Sequence, residues 1–454
     1  MYDYSYECRQ LYEEYLKTPE GMTEEFNYAD FIFAKDVSRP LDERETGLNN
    51  NVLVVGTSGS GKTSRFVEPN LKEAVGNYVV SDPKGMLIRK YGKYMEKCGY
   101  HVIKMDFQNP EKSMHWNPLS QVKTTQDIMR IASSLTFQSG KFSINSDPYW
   151  DDMTVLTICA LIGYMVETKY KPFNFQGVME LLREGDRFQR RSNTDGNRFA
   201  YSKASKLSDR FEELHEKNPD SWAYEQFRNV DQAPDRTYDT IRSCLASKFC
   251  NYTTKEIEEM MSANDIDFAE IAKERFVIFV LQSDCERSMD GLVNLFFSQA
   301  INNFFKYADT CKNQRLPIPV RFFLDDYGAT TVIDNLDTII STIRSRGISV
   351  SLILQSEAQL LKGGRGTDKT IIANCDTYIY MGGNDVETAQ SVSVRCNKPL
   401  DRILFMPVGY CWVFERGSKP IYAELAERPN IEKEFIIQQN SKHQNTFIEF
   451  EQYV

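Results

Sequence analysis

The chain has 454 residues, of which 41% are hydrophobic and 26% are charged, a composition typical of a folded globular protein. At roughly 100–200 residues per domain, this length predicts roughly two to four domains and excludes a single small module. Lys and Arg number 54 against 64 Asp and Glu, so the net charge is −10, which opposes broad binding to nucleic-acid phosphates. Residues 1–50 carry 12 acidic and 5 basic side chains. Most of the excess charge is therefore in the leading segment, and any nucleic-acid contact must be local.

The sequence also bears on location. The longest apolar run, about residues 155–166, is far shorter than the roughly 20 residues of a membrane-spanning helix. The amino-terminal residues lack the basic and then apolar order of a secretory signal. Ten cysteines occur without a Cys-x-x-Cys pair, as expected for reduced thiols, and with four histidines a zinc site is not expected. We therefore expect a cytoplasmic protein without a membrane anchor of its own.

Short apolar strands alternate with helical stretches in the first part of the chain. The pattern predicts strands at 52–55, 78–81 and 101–105, with a helix around 84–98 between the last two. Such alternation is typical of a parallel, doubly wound sheet with helices on both faces. The expected fold class is therefore α/β with a mostly parallel sheet.

The strand pattern stops near residue 116, and up to about 265 the sequence favours helices, among them 148–168 and 202–217. Apolar strands are expected again further on, at 275–281, 319–324, 348–354, 376–380 and 410–414. Two distant stretches then build one sheet around an inserted all-α domain. The predicted bounds are 1–50 for an acidic amino-terminal segment, 51–115 and 266–430 for the core, 116–265 for the all-α insertion and 431–454 for a carboxy-terminal tail.

A glycine-rich motif directly follows the first predicted strand. Its residues are Gly56, Thr57, Ser58, Gly59, Ser60, Gly61, Lys62 and Thr63, which match G-x-x-x-x-G-K-T. Glycines let the backbone curl so that its N–H groups converge on phosphate oxygens, and the following helix adds its positive end. Lys62 supplies a charge for the β- and γ-phosphates, and the Thr63 hydroxyl is an oxygen ligand for Mg²⁺. The alternative, a glycine-rich turn with an incidental lysine, leaves the match of the whole motif unexplained.

Polar side chains end two later strands. Asp325 comes first after strand 319–324 and is the better candidate to hold Mg²⁺, while Asp326 is placed to orient or deprotonate an attacking water. Gln355 ends strand 348–354, where ligands bind in open α/β sheets. Taken alone, the aspartates suit a turn or a helix cap and the glutamine suits a solvated loop. The phosphate loop is what favours the functional interpretation.

Further motifs occur in a fixed order along roughly residues 50–415. They are Pro69-Asn70-Leu71, Val80-Ser81-Asp82-Pro83-Lys84-Gly85, Trp116-Asn117-Pro118-Leu119, Asp147-Pro148-Tyr149-Trp150, Leu324-Asp325-Asp326, Arg344-Ser345-Arg346-Gly347-Ile348-Ser349, Gln355-Ser356-x-x-Gln359-Leu360 and Asn374-Cys375-Asp376-Thr377. In this set the chain resembles the coupling-protein ATPases of conjugation and type IV secretion, which feed DNA or protein substrates into the channel. The set is far more specific than the phosphate loop, which many unrelated NTPases share.

The resemblance implies a RecA-like P-loop NTPase core, interrupted by an all-α domain and assembled as a homo-hexamer with ATP between subunits. The implied cofactors are ATP and Mg²⁺, with Lys62 and Thr63 binding phosphate and metal. By the same resemblance Asp325 coordinates the metal, and Gln355 couples nucleotide state to its strand. The implied partners are single-stranded DNA, a relaxase or relaxosome, and ATPases or membrane subunits of the secretion channel.

Arg344 is similar in placement to the arginine that reaches a neighbour's ATP. Such an arginine neutralises charge on the transferred phosphoryl group and contributes about 10³–10⁵ in rate in comparable NTPases. Without the family, Arg344 and Arg346 are equally well explained as solvated cations at a helix end. Arg346 is the second candidate for the same role.

Two features depart from the family pattern. Most members carry Asp-Glu where this chain has Asp325-Asp326, and a misplacement of about 1 Å can cost of order 10²-fold in rate. We therefore expect slow hydrolysis. The chain also lacks the amino-terminal membrane helices of the family, so we expect a partner to recruit it to the inner face of the cell membrane.

Two further segments leave alternatives open. Lys84 in the Asp82-Pro83-Lys84-Gly85 motif suits a nucleotide or substrate contact and a plain strand-to-helix turn equally well. Residues 183–210 carry eight basic and four acidic side chains, including Arg187, Arg190 and Arg191. In a ring this patch could bind DNA, but a solvated face or a protein-binding surface explains it as well.

Three functions fit these observations. The first is an ATP-driven motor that pumps single-stranded DNA, or a relaxase bound to it, into a type IV secretion channel. The second is a docking platform that nucleotide binding switches with little hydrolysis. The third is a related translocase for double-stranded DNA. ATPase assays separate the first two, and strand preference in a binding titration addresses the third.

Overall fold

The structure is a computed structural model, and it describes residues 30–137, 148–186, 188–194, 198–283, 285–328, 332–333, 335–363 and 367–431. The expectations that concern residues 1–29, Asp147, Arg187 and the tail from 432 onward lie outside these ranges. The strands are β1 (Asp30–Ala34), β2 (Val37–Pro40), β3 (Val52–Val55), β4 (Asn77–Ser81), β5 (His101–Asp106), β6 (Phe188–Thr194), β7 (Arg198–Ala204), β8 (Phe276–Leu281), β9 (Val320–Leu324), β10 (Ile348–Leu354), β11 (Thr377–Tyr380), β12 (Tyr410–Glu415) and β13 (Ile421–Glu424).

The helices are α1 (Glu43–Thr46), α2 (Glu68–Lys72), α3 (Met86–Lys97), α4 (Thr125–Phe137), α5 (Pro148–Thr168), α6 (Phe175–Glu184), α7 (Lys206–Lys217), α8 (Trp222–Asp231), α9 (Asp235–Cys250), α10 (Lys255–Met260), α11 (Phe268–Ile271), α12 (Asp290–Thr310), α13 (Leu336–Ile340), α14 (Thr367–Ala373), α15 (Val386–Cys396) and α16 (Leu400–Leu404). Within the described ranges, none of them combines the length and the apolar character that crossing a membrane requires.

One large sheet holds the strands that the sequence predicted. In the described ranges its nine strands lie in the order β13-β12-β11-β3-β10-β9-β4-β8-β5. The strands from β11 to β8 pair in parallel, while β12 and β13 add an antiparallel edge. The central strands β3, β9 and β10 are buried along their whole length, as expected for a parallel sheet covered on both faces. The predicted α/β fold with a mostly parallel sheet is confirmed.

A hairpin that the sequence did not predict precedes this sheet. β1 and β2 pair antiparallel, and Phe31 and Phe33 of β1 are buried in the core. The ring of Phe31 packs on Phe66 with centroids 5.9 Å apart, and Phe66 packs edge-on against Phe323 of β9 at 6.0 Å. Residues 30–50 therefore belong to the core, and the prediction that they form part of a separate acidic segment is wrong. The reason is that Phe31 and Phe33 are buried in the core, which the net charge of the whole segment does not reveal.

Contacts divide the described chain into two compact units. The first holds the large sheet and comprises the described residues up to Met105, Asp267–Cys285 and those from Ala300 onward. The second comprises Asp106–Ile266 and Glu286–Gln299 and is mainly helical. The insertion thus begins before the predicted residue 116 and also takes in part of α12.

The insertion is mostly helical, but the prediction that it is all-α is wrong. β6 and β7 pair antiparallel, from Phe188 opposite Ala204 to Thr194 opposite Arg198. In the sequence Asp195-Gly196-Asn197 separates them, and an Asp-Gly pair is typical of a hairpin turn. The helix expected from 202 begins at Lys206, where the Ser205 hydroxyl accepts from the N–H of Ser208 at 2.9 Å. Ser205 is thus an N-cap that ends the hairpin and starts α7.

Candidate nucleotide site

The glycine-rich motif forms a loop at the carboxyl end of β3, held by the strands on both sides. The N–H of Gly56 donates to the carbonyl of Leu354 at 3.1 Å, and the N–H of Thr57 donates to the carbonyl of Gly382 at 3.0 Å. Gly59 and Gly61 have φ angles of +79° and +96°, where a side chain is strained. The loop therefore curls because of its glycines and is anchored by the ends of β10 and β11.

The helix after the loop starts with a wide turn. The N–H of Glu68 bonds the carbonyl of Thr63, five residues earlier, and the α-helical pattern begins only at Glu68. Pro69 explains this widening because it has no N–H for the helix ladder and its ring crowds the preceding turn.

Asn70 of the same motif ties the loop helix to β1. Its side-chain amide donates to the carbonyls of Phe66 and Ile32, both at 2.8 Å, and its Oδ1 accepts from the N–H of Ile32 at 3.1 Å. The guanidinium of buried Arg321 also donates to this oxygen at 3.3 Å. The Pro69-Asn70-Leu71 motif therefore shapes the support of the loop.

Lys62 lies folded over the loop. Its ammonium donates to the carbonyl oxygens of Gly56 at 2.6 Å and Thr57 at 3.0 Å. Burial lowers the pKa of this ammonium, while the charges of Asp325 and Asp326 act in the opposite direction. A buried cation held only by neutral carbonyls is available to a stronger, anionic partner such as a phosphate.

Thr63 and Asp325 meet directly, although 262 positions separate them in the chain. The Thr63 hydroxyl donates to Oδ2 of Asp325. Burial raises the pKa of the Asp325 carboxyl to about 6, with the Thr63 bond and the Lys62 charge acting against this rise. A carboxylate that is this costly to ionise is stabilised by a cation.

The oxygen pair fits a magnesium ion. Mg²⁺ prefers oxygen ligands and is usually bound by one or two carboxylates together with substrate phosphates and water. In the described part of the chain, no cluster of three or more His, Cys, Asp or Glu could hold a metal by itself. Thr63 and Asp325 would therefore hold Mg²⁺ only together with phosphate oxygens and water.

Asp326 and Gln355 also come together at this edge of the sheet. Nε2 of Gln355, just after β10, donates to Oδ1 of Asp326 at 3.4 Å. The N–H of Asp326 donates to Oδ1 of Asp325 at 3.0 Å, and the backbone of Asp326 is left-handed, with φ +53°. Aspartate tolerates this conformation better than glutamate does. The two candidate catalytic side chains thus lie in hydrogen-bond contact beside Thr63 and Asp325, the candidate metal ligands.

Arg344 lies at the opposite end of the parallel strands, where their amino ends meet, which we call the amino edge of the sheet. Arg344–Arg346 form a short turn directly before β10, and this strand of seven residues spans on the order of 20 Å. Arg344 is therefore not part of the loop site in its own chain. Its guanidinium has one long bond, to the carbonyl of Glu43 at 3.5 Å, and no described residue forms an ion pair with it.

Arg346, the second candidate, is occupied by structural contacts. Its Nε donates to Asp309 at 3.0 Å, and its guanidinium stacks on Phe305, 3.8 Å from the ring centroid. The resemblance in the sequence placed Arg344 first and Arg346 second, and the structural contacts of Arg346 agree with that order.

The Asp82-Pro83-Lys84-Gly85 motif joins β4 to α3. Buried Asp82 accepts from the N–H groups of Met86 at 3.0 Å and Ile88 at 2.9 Å, and burial raises its pKa. Asp82 therefore caps α3, which favours the strand-to-helix turn for this residue. Lys84 is exposed and lines the cleft described next.

A cleft of about 840 Å³ opens beside Thr63 and Asp325. Its lining includes Thr63, Asp325, Asp326, Glu68, Asp82, Lys84, Arg89, Lys90 and 428–431. Sequence reasoning missed Glu68, Arg428 and also Gln282, whose side chain donates to the Ser81 hydroxyl at 2.9 Å next to the site. Gln282 follows the apolar strand β8 as Gln355 follows β10, so the same signal could have found it. Glu68 and Arg428 carry no such pattern.

The comparisons with known proteins agree with this geometry. The family described as "Type IV secretory system Conjugative DNA transfer" matches residues 19–398. This chain belongs to that family. Membership in the conjugative DNA transfer family confirms the resemblance found in the sequence and supports a role in DNA transfer. No curated protein matches the chain.

Solved structures show the same fold for this family member. The plasmid coupling protein TrwB in complex with the non-hydrolysable ATP analogue ADPNP has a TM-score of 0.64 at 14% identity, over 90% of this chain and 91% of TrwB. TrwB in complex with ADP and Mg²⁺ has a TM-score of 0.63 at 14% identity, over 90% and 91% of the two chains. VirB4 of Thermoanaerobacter pseudethanolicus has a TM-score of 0.51 at 14% identity, over 89% of this chain and 98% of VirB4. The predicted RecA-like P-loop fold is confirmed by these matches.

Proposed function

We propose that this chain is an ATP-hydrolysing coupling protein that moves single-stranded DNA, or a relaxase bound to it, into a type IV secretion channel. The observation that carries the proposal is the direct contact of the Thr63 hydroxyl with Asp325, beside the buried ammonium of Lys62. Membership in the conjugative DNA transfer family and the binding of ADPNP, and of ADP with Mg²⁺, by TrwB support the choice of nucleotide and metal.

In this proposal the loop residues 56–63 bind the triphosphate of ATP. Lys62 exchanges the carbonyls of Gly56 and Thr57 for phosphate oxygens, and Thr63 and Asp325 hold Mg²⁺. When bound, the metal neutralises charge on the β- and γ-phosphates. Asp325 must be ionised for this role, so its cost of ionisation is offset when the cation binds.

Asp326 and Gln355 are proposed to act on the attacking water. The 3.4 Å contact between Gln355 Nε2 and Asp326 Oδ1 brings a hydrogen-bond donor and an acceptor side by side. Asp326 accepts the proton of the water, and the Gln355 amide fixes its orientation. Because Gln355 directly follows β10, a change at the γ-phosphate is passed to that strand.

Arg344 is proposed to act on the nucleotide of a neighbouring subunit. Its place at the amino edge of the sheet removes it from its own loop, while its guanidinium lacks an ion pair with any described residue. An arginine supplied in trans requires a neighbouring subunit, and a homo-hexameric ring is the proposed form of the assembly. Hydrolysis would then depend on assembly.

The test is phosphate release with and without single-stranded DNA. We expect DNA-stimulated turnover in the wild type and a loss of at least about 10²-fold in Lys62→Ala. Lys72→Ala removes the same charge from the end of α2 and serves as the matched control. Nucleotide binding without turnover in the wild type would favour the docking platform, and equal turnover in Lys62→Ala and wild type would contradict the proposed site.

A further inference from the structure

The cleft beside Thr63 and Asp325 has two chemically different parts. Thr63, Asp325 and Asp326 belong to the proposed nucleotide site, but its lining also includes the turn Pro83-Lys84 and the first turns of α3. At about 840 Å³ it is at the upper end of the range for ligand pockets. The proposed phosphate and metal chemistry uses only one part of it.

The second part carries an excess of positive charge. Its cations are Lys84, Arg89, Lys90 and Arg428. Of its acids, Glu68 is already bonded, by the Lys90 ammonium, by the Tyr91 hydroxyl at 3.2 Å and by Arg428 at 3.8 Å. The carboxylate of Asp82 accepts the N–H groups of α3. The acids of this part are therefore committed to the protein itself.

Lys84 and Arg89 remain available to a ligand. Both are exposed, and within the described ranges neither forms an ion pair. Arg89 donates to the carbonyl of Lys84 at 2.9 Å. Burial raises the pKa of the Asp82 carboxyl, and the charge of Arg89 acts weakly against this rise. A pair of uncommitted cations beside an open cleft attracts an anion.

Apolar surface lies between these cations. The side chain of Met86 is 53% exposed and, with Pro83, lines the same cleft. A small inorganic anion uses charge alone, whereas a nucleic-acid strand presents phosphates together with sugar and base faces. The mixture of cations and apolar side chains therefore favours a phosphodiester chain.

We propose that the cleft formed by Lys84, Arg89, Met86 and Arg428 binds the backbone of single-stranded DNA next to the nucleotide. The inference rests on the proposed function, because it places DNA at the same edge as Thr63 and Asp325. In the Asp82-Pro83-Lys84-Gly85 turn it assigns Lys84 to substrate binding, whereas Asp82 caps α3. Binding is by charge and apolar contact, without reading of base edges.

The test is the affinity of the full chain for a short fluorescent oligothymidine over a range of salt concentrations. Each phosphate contact contributes about 0.7 to the slope of log affinity against log salt for a single strand. We expect Lys84→Ala to lower this slope by about 0.7 and Lys84→Ala with Arg89→Ala to lower it by about 1.4. Lys419→Ala, in the exposed turn between β12 and β13, removes one charge away from the cleft and should leave the slope unchanged.

Two further measurements separate the possible failures. Binding of a fluorescent ADP analogue should be equal in Lys84→Ala and wild type, and lost in Lys62→Ala. If Lys62→Ala still binds the analogue, the proposed function fails whatever the DNA result. If the analogue behaves as expected but Lys84→Ala keeps the wild-type slope, or the wild type does not bind oligothymidine, the DNA site is overturned and the nucleotide site stands.

The cleft could also be covered by an acidic surface of a second copy of the chain. Sedimentation of the same variants addresses this alternative. If Lys84→Ala weakens self-association while its oligothymidine slope stays at the wild-type value, the cations belong to a subunit interface and the DNA proposal is overturned. Unchanged self-association with a lowered slope supports it. Equal thermal unfolding of Lys84→Ala and wild type shows that the fold is intact.

Discussion

The two edges of the large sheet are both rich in polar side chains, but they use them differently. At the amino edge, Asn51 is 1% exposed; it accepts from the N–H of Val350 at 3.1 Å and donates to the carbonyl of Asn374 at 3.2 Å. Asp376 accepts from the N–H of Asn49 and from Nε of Arg416, both at 2.6 Å. These groups bind one another and join the starts of three strands. The amino edge is therefore a structural lock.

At the carboxyl edge the polar groups are left with weak or costly interactions. Burial lowers the pKa of Lys62 and raises the pKa of Asp325, and Lys62 has only backbone carbonyls as hydrogen-bond acceptors. Perturbed groups that the protein does not fully satisfy are typical of sites that bind a ligand. The contrast shows that the number of polar residues does not identify the functional edge, whereas buried charged groups held by neutral hydrogen-bond partners, as Lys62 and Asp325 are, do.

The largest expected effect concerns Arg344, the one residue at the amino edge for which we propose a catalytic role. Arg344→Ala should lower turnover by about 10³–10⁵ with nucleotide affinity near the wild-type value, because its guanidinium acts on the neighbour and not on its own loop. Arg346→Ala is the matched control from the same turn. It should keep turnover but lose on the order of 1 kcal/mol of unfolding free energy with the Asp309 and Phe305 contacts. Equal turnover in Arg344→Ala and wild type, at concentrations where both assemble, would contradict the role in trans.

The next effect concerns Asp325 and pH. Its folded-state pKa is about 6 and its ordinary value 3.8, so the folded protein holds this proton more tightly than the unfolded chain does. Without Mg²⁺, the free energy of unfolding should therefore fall as pH rises from about 4 to about 6 and then stay level. Asp325→Asn should remove this dependence, stabilise the metal-free protein above that range by up to about 3 kcal/mol and abolish magnesium-dependent turnover.

Thermal unfolding at pH values below and above this range measures the Asp325 effect. Mg²⁺ with nucleotide should raise the unfolding temperature of the wild type at neutral pH and leave that of Asp325→Asn nearly unchanged. A variant that is less stable than the wild type at neutral pH would show that Asp325 is paired within the protein, as the amino-edge aspartate is.

Asp376→Asn is the counterpart at the amino edge and should have the opposite sign. Its carboxylate bonds both Asn49 and Arg416, so we expect a loss of about 2 kcal/mol of unfolding free energy with nucleotide affinity unchanged. Chemical denaturation together with a nucleotide titration measures both quantities. Stabilisation by this change would remove the distinction between the two edges.

The smallest expected effect concerns Asp326, the candidate base at the carboxyl edge. Asp326→Glu extends the candidate base by one C–C bond, and we expect turnover to rise about tenfold, within the 10²-fold that a misplacement of about 1 Å can cost. Because φ at this position is +53°, the longer residue should also cost up to about 1 kcal/mol of stability. Turnover assays and thermal unfolding of the same preparation test both statements. Lower turnover in the variant would mean that the shorter side chain is the fitted one.

Much of the sheet could be predicted because its central strands are uninterrupted apolar runs. The strands expected at 52–55 and 348–354 are found as Val52–Val55 and Ile348–Leu354. The hairpin of β1 and β2 could not be predicted in the same way, because its strands owe their stability to Phe31 and Phe33 packing into a core made by distant segments. β6 and β7 were missed because polar strands lack the apolar signature.

The candidate site divides in the same way. Lys62, Thr63, Asp325 and Gln355 could be placed together from the sequence, since parallel strands bring their carboxyl ends to one edge. The residues alone explained Arg344 and Arg346 equally well, and only the resemblance favoured Arg344. The contact of Arg346 with Asp309, 37 positions away, could not be predicted.

The sequence alone determined the kind of chemistry: a phosphate loop, an acid pair at a strand end, and membership in a DNA transfer family. These follow from local spacing, because backbone curl and strand periodicity are set by residues close together in the chain. The tertiary structure decided which polar groups are satisfied and which are free to bind. Burial and hydrogen-bond partners come from segments hundreds of positions apart, as the bond between Thr63 and Asp325 shows, and no local pattern contains them.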